Sequence, residues 1–444
     1  MRTESFIRSV IKIAVPVALQ SMLQASFSIV DQVMVGSLGS VSVAAVGIAG
    51  KLSTLYGVVI GAVVSVAGIM MSQYIGAKDK DETNRSFSLN SLVALGIGAV
   101  FMTVCLLLPR QLMGLYSADV DTVGVAADYL RIVSVGFLPY AVVMMISVRM
   151  RCMEKASVPL IFSVISNLLN TGLNYVLIFG KLGNPAMGAN GAAAATVAAE
   201  VFNMLLLIGG MIAIDRKLGF RFALKPKLTK MTYAKYLAIF LPVLVIEFMW
   251  SLSENVYASV YGHIGTLECA AMTLTYPIQG LMIGALSGLA QAAGILIGKE
   301  LGKEEYDSAY RKSKKLLFYG LIGSFILSVA LIFLMGFYTD IYNVEDYVKQ
   351  VAQQILLVFA IVSPVKVMNM ILGGGIVKSG GQTRVIMVIE LVGTWGFGVP
   401  LALLSAFVWQ LPIPFVYLIL SMEECVRLLL TWIIFVRKNW MKKI

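Results

Sequence analysis

Long apolar runs alternate with short polar connectors along the whole chain. A helix needs roughly 20 apolar residues to cross a bilayer. Twelve segments reach that length, near residues 9–37, 41–75, 87–108, 124–149, 157–180, 189–214, 233–262, 266–298, 315–337, 347–375, 383–408 and 411–436. Several exceed it, which tilting or projection beyond the membrane accommodates. The pattern predicts an all-α integral membrane protein with twelve transmembrane helices.

The connectors carry the orientation. Lys and Arg gather in 78–85, 149–155, 215–230, 302–315 and 378–384, and again in the C-terminal 437–443. The alternate connectors 37–40, 262–266 and 410–412 have none, and 116–121 and 342–347 are acidic. The positive-inside rule then places both termini in the cytoplasm of a multi-pass inner (plasma) membrane protein. The connector 215–230 is the longest and most basic. It reads as the link between two six-helix lobes, the first over 1–214, a linker over 215–232 and the second over 233–444.

The two halves are similar in sequence. An offset of 226 positions pairs Pro16 with Pro242, Gly36 with Gly262, Gly39 with Gly265 and Gly76 with Gly302. The same offset pairs Asp81 with Asp307, Arg85 with Arg311 and Tyr116 with Tyr342. After one deletion, Pro139 falls on Pro364. An even number of helices per half makes this a parallel repeat, a transporter architecture with a substrate site expected where the repeats meet.

Composition narrows the function. Of 444 residues 59% are hydrophobic and 13% charged, whereas soluble domains carry roughly 25% charged residues. Mean hydropathy is +0.85. The net charge of +11 is spread over connectors, so no nucleic-acid surface is expected. Cys105, Cys152, Cys269 and Cys425 form no CxxC pair and read as small buried hydrophobes. No short apolar segment with a cleavage site follows Arg2, Arg8 and Lys12, so no removable signal peptide is expected. There is no GxxxxGK[ST] phosphate loop for an ATP-driven pump. No enzyme chemistry, no cofactor beyond a coupling ion and no obligate protein partner are expected, and the chain reads as a monomer in the lipid bilayer.

Asp31 lies in the apolar stretch SFSIVDQVMVG with no cation beside it. A carboxylate in hydrocarbon costs kilocalories unless something compensates, so an intramembrane acid points to function. Its repeat partner is Tyr257; the second half carries Glu247 and Glu254 instead, in register with Ser21 and Ser28. Ion work and substrate work can thus be divided between the halves.

The repeat unit PVALQSMLQASFSIVDQVMVGSLGSVSVAAVGIAG (16–50), with SQYIGAKDKDETNRS (72–86), NLLNTGLNYVLIFG (167–180) and GANGAAAATVAAE (188–200), resembles the multidrug and toxic compound extrusion (MATE) family. GKELGKEEYDSAYRKS (298–313) and GGGIVKSGGQTR (373–384) extend the resemblance over nearly the whole chain. It implies two six-helix lobes and cation-driven export of organic, often cationic, small molecules by alternating access. The family's first-lobe cation site falls on Asp31, fifteen residues after Pro16, on Asn170 and Asn174 in the fifth span, and on Thr196 in the sixth. Some members have a second aspartate where this chain has Asn174.

Asn170 and Asn174 are one turn apart and share a helix face. With Asp31 and Thr196 they make an all-oxygen set, which suits a hard cation such as Na+. Desolvation favours the neutral form of a carboxyl group, so H+ is equally natural as the coupling ion.

Other intramembrane residues carry lesser expectations. Glu247 and Glu254, two turns apart, face a cleft where Trp250 and Tyr257 offer π faces to an organic cation. Lys366 belongs with the substrate cavity or secondary coupling, or is a structural partner for Glu247, Glu254 or Glu390, and Lys51 snorkels. Glu200 follows Thr196 by one turn and supports the first-lobe site. Tyr140 beside Pro139 lines the cavity or packs as a core aromatic. Glu423, Glu424 and Arg427 pair locally, and His263 lies exposed. Pro16 removes a helix hydrogen bond and kinks the first span. A flippase of related fold, for lipid-linked precursors or polysaccharides, is the competing function. It would want cations facing phosphates, and the acids Asp31, Glu247 and Glu254 favour cationic cargo.

Overall fold

The structure is a computed structural model that describes residues 2–218, 230–342 and 344–444. The described residues contain helices and no strand. In the first half, α1 (Arg2–Gly36), α2 (Ser40–Gly76) and α3 (Lys80–Leu107) are unbroken. A short α4 (Pro109–Gly114) leads to α5 (Val120–Ser134), α6 (Phe137–Cys152), α7 (Ser157–Phe179) and α8 (Ala189–Leu218). The second half has α9 (Lys230–Ile264), α10 (Thr266–Gly302), α11 (Tyr306–Asp340) and α12 (Asp346–Asn369). It ends with α13 (Thr383–Glu390), α14 (Val399–Leu403) and α15 (Ile413–Arg437), with π-helical stretches at Met370–Val377, Leu391–Gly398 and Leu404–Val408.

Ten of the described helices are long and apolar enough to cross a membrane, and eleven if α5 and α6, bent by 46°, form one span. The bend falls at Val135–Gly136, and Pro139 then sits in the first turn of α6, where its missing N–H removes no helix bond. The twelfth expected span, α15, is 25 residues long but carries Glu423, Glu424 and Arg427. The eleventh, near 383–408, is an α-helix twice interrupted by π geometry, which is often found at functional sites. α1 runs without interruption through Pro16.

Packing divides the chain into two compact units. One comprises Met22–Met71 and Asp79–Leu228; the other comprises Met1–Ser21, Ser72–Lys78 and Thr229–Ile444. The expected linker 215–232 lies largely outside the described residues. The first part of α1 and the end of α2 thus belong with the second half, for a steric reason. A Cβ at Gly76 would collide with the Lys299 backbone, and one at Gly302 with the Gln73 backbone. Gln73 and Lys299 are repeat equivalents, so the α2–α10 crossing reproduces the sequence repeat. Without a hydrophobic driving force between helices in lipid, such small-residue crossings are what allow close packing. Gln73 also donates through Nε2 to Ser379 O at 2.8 Å and accepts from Ile444 N–H at 2.7 Å.

Around the first-half site, α7 and α8 form a hairpin. Its turn places Gly180 at φ +65 against Ala186, a position that only glycine fills without strain.

Candidate coupling site

Three helices of one unit meet at Asp31. Asn174 on α7 donates through Nδ2 to Asp31 Oδ1 at 2.7 Å. Asn170, one turn earlier, presents Oδ1 to the same Nδ2 at 3.2 Å and Nδ2 to Thr196 Oγ1 at 3.4 Å. Turned over, the Asn170 amide donates to Asp31 Oδ1 at 3.1 Å and accepts from Thr196 N–H at 3.2 Å. Thr196 Oγ1 donates back to Ala192 O on α8 at 3.0 Å. The four residues that the sequence assigns to a cation site are therefore in mutual contact.

A cavity of about 200 Å³ opens onto this cluster, lined by Asp31, Asn170 and Thr196 together with Gln24 and Ser28 of α1. No Lys, Arg or His forms an ion pair with Asp31 among the described residues. Asn174 is buried behind the lining, and its Oδ1 has no hydrogen-bond partner. An unpartnered buried acceptor beside a carboxylate, an amide that can turn its oxygen inward and a hydroxyl fit a hard monovalent cation. They also fit a proton on Asp31.

The same cavity is lined by Ser166, Glu200 and Asn203, whose Oγ, Oε2 and Oδ1 are buried without a partner. Sequence reading raised Glu200 only as support and passed over Ser166 and Asn203. The signal was periodic. Residues 24, 28 and 31 share one face of α1, 166, 170 and 174 one face of α7, and 196, 200 and 203 one face of α8. Tyr140 is not among the lining residues; it packs on Tyr56 with ring centroids 5.8 Å apart.

The second unit holds its own polar cavity of about 110 Å³, lined by Glu254, Tyr257, Lys366, Glu423 and Glu424. Tyr257 donates to Glu423 Oε2 at 2.6 Å, and Gly398 leaves the room for that contact. Arg427 binds three carboxylates, those of Glu390, Glu423 at 3.4 Å and Glu424 at 2.6 Å. The local pairing on α15 is thus as expected, with Glu390 added. Lys366 lines this cavity with Glu254 but forms no ion pair among the described residues: Glu390 turns to Arg427, and Glu247 lies 3.7 Å from Lys378. A guanidinium offers five donors in a fixed fork, whereas an ammonium is a point charge, so Arg427 gathers the carboxylates. Glu247 and Glu254 do not share one environment, since only Glu254 lines the cavity. Trp250 is 52% exposed and does not line it. Tyr261, Tyr276 and Tyr417 do, which sequence reading missed. His263 is exposed as foreseen, whereas Cys425 is exposed and Cys269 half-buried rather than buried.

A helical membrane protein with an internal repeat, and with an intramembrane carboxylate that has no ion-pair partner among the described residues, has the architecture of a transporter. The MatE family model matches the chain twice, over 16–176 and 242–404, and the chain belongs to this family of transporters. The two matches begin at Pro16 and Pro242, the register of the repeat. The "Uncharacterized transporter YisQ" of Bacillus subtilis is 23% identical over 96% of this chain and 94% of its own length. The "Probable multidrug resistance protein NorM" of Pasteurella multocida is 24% identical over 89% of this chain and 85% of its own. Among solved structures, the Vibrio cholerae MATE transporter VcmN in the bent form superposes with a TM-score of 0.88 at 17% identity, covering 99% of both chains. The chain is a multi-pass membrane protein, and its relatives include proteins named for multidrug resistance.

Proposed function

We propose that this chain is a cation-coupled antiporter that exports organic, cationic or amphipathic compounds in exchange for Na+ or H+. Asp31 is the coupling residue, held by Asn170, Asn174 and Thr196. The observation that carries this reading is the Asn174–Asp31 hydrogen bond of 2.7 Å at a carboxylate with no ion-pair partner. Asp31 with a cation or proton is neutral and tolerates a closed, dry cavity. Asp31 without one is stabilised by amide donors and needs the cavity open to water. The ion thereby decides which state of the cavity is favoured, and cargo binds to the state left ionised.

Cargo of positive charge is supported by Asp31 in one unit and Glu254 in the other, and by relatives named for multidrug resistance. In this reading the chain works as a monomer in the inner (plasma) membrane, with both termini cytoplasmic. The two lobes follow the sequence repeats 1–214 and 233–444, apart from Met1–Ser21 and Ser72–Lys78, which pack with the second. The test is ethidium flux in proteoliposomes with Na+ and pH gradients imposed separately. Flux driven by one gradient identifies the ion, and flux indifferent to both overturns the reading.

A further inference from the structure

Two carboxylates, not one, line the first-half cavity. Glu200 lies one turn along α8 from Thr196, and its Oε2 is buried without a hydrogen-bond partner. No Lys, Arg or His pairs with it among the described residues. Ser166, 3% exposed, and Asn203, 8% exposed, line the same cavity, and their Oγ and Oδ1 are also unpartnered. Ser166 stands one turn from Asn170 on α7, as Glu200 does from Thr196 on α8. The polar faces of α7 and α8 therefore repeat the donor set of the Asp31 tier one turn along: a carboxylate, an amide oxygen and a hydroxyl.

We propose that Glu200, with Ser166 and Asn203, is a second exchange site for the same monovalent cation that Asp31 holds, so that each transport cycle carries two ions. The proposal rests on the coupling role of Asp31. A carboxylate within a span must be neutralised before its cavity closes to water. Tyr56 and Tyr140 act on Glu200 through charge and bring no positive charge; Arg151 acts on Tyr140 from beyond it and forms no ion pair with Glu200 among the described residues. Tyr56 already donates its hydroxyl proton to Phe137 O at 2.5 Å. With two unpaired carboxylates and no basic partner, closure of the cavity requires two cations. The unpartnered oxygens of Glu200, Ser166 and Asn203 in the cavity lining are what a cation or proton would satisfy.

The ion count is read in proteoliposomes with the membrane potential clamped at zero. The gradient of the driving ion is adjusted until it balances a fixed ethidium gradient. For the wild type, the ethidium ratio at balance equals the square of the ion ratio. For Glu200→Gln it equals the first power, and for Glu200→Asp, which keeps the carboxylate, it returns to the square. Direct counting needs no cargo: radiolabelled Na+ bound, or protons released on alkalinisation, falls by one per chain in Glu200→Gln, and thermal melting shows whether the variant is folded. First-power balance in the wild type, or an unchanged square in folded Glu200→Gln, overturns the proposal. Loss of ion-driven flux in Asp31→Asn with a persistent first-power wild type would leave the Asp31 reading intact while removing Glu200. Ion-indifferent flux in the wild type would overturn both.

Discussion

Asn174 commits its amide nitrogen to Asp31, 2.7 Å away, and leaves its own carbonyl oxygen buried without a partner. The asparagine is thus both the support of the carboxylate and a free acceptor beside it. Where Na+ is the driving ion, Asn174→Ala removes this free carbonyl as a ligand and should raise the Na+ concentration for half-maximal flux by about tenfold. Asn174→Asp, which restores the second aspartate of some family members, should lower it. Unaltered ion dependence in both variants would detach Asn174 from the site.

The α2–α10 crossing gives a prediction for stability. Gly76 and Gly302 each lie on the other helix's backbone, with no room for a Cβ. Overpacking of this kind costs about 1–3 kcal/mol, so Gly76→Ala or Gly302→Ala should lower the melting temperature in detergent. A Cβ at Gly96 would meet nothing within 4 Å. Gly96→Ala, in the interior of α3, should be neutral or stabilising by up to about 1 kcal/mol. Equal behaviour of the three variants would contradict the close crossing.

Arg427 forms ion pairs with Glu390, Glu423 and Glu424. Removing one partner of a buried ion pair costs about 3–5 kcal/mol, because the remaining charge is left uncompensated. Arg427→Met should destabilise the second unit by at least that much, and Arg427→Met combined with Glu424→Gln should recover part of the loss. Melting curves of both variants decide this; a single variant as stable as the wild type would show that the carboxylates are neutralised in another way.

At the start of α5, Asp119 is the N-cap, and its carboxylate accepts from Thr122 N–H at 3.0 Å and from the Thr122 hydroxyl. These bonds hold its carboxyl below the usual aspartate range. A depressed folded value means that the contribution is complete above the unfolded value and is lost as pH falls through the folded one. Asp119→Ala should therefore lower the melting temperature at neutral pH, and the gap from the wild type should close in acid. A gap that persists unchanged in acid would refute the cap.

Much of this was legible in the sequence, because the bilayer imposes simple rules. Length and hydropathy marked the spans, and repeated Gly and Pro marked the repeat, which Gly76 and Gly302 express as a physical contact. Asp31, Asn170, Asn174 and Thr196 were legible from the family resemblance and from the shared face of Asn170 and Asn174. Charge partners were less so. Sequence spacing finds Glu423 and Glu424 beside Arg427 on one helix, but it cannot tell that Glu390 reaches the same guanidinium or that Glu247 meets Lys378. Those pairings depend on how separate helices pack. The second tier of Ser166, Glu200 and Asn203 was present as a helical period and was hidden only because serine and asparagine are ordinary in membrane helices.

The measurement that bears most directly on the central claim is ion-driven efflux by Asp31→Asn beside the wild type, each reconstituted at equal amounts and checked for folding by melting. If Asp31 couples the ion to export, the gradient driving wild-type ethidium flux, Na+ or H+, drives none in the folded variant. Wild-type flux rates in folded Asp31→Asn under the same gradient would contradict that role.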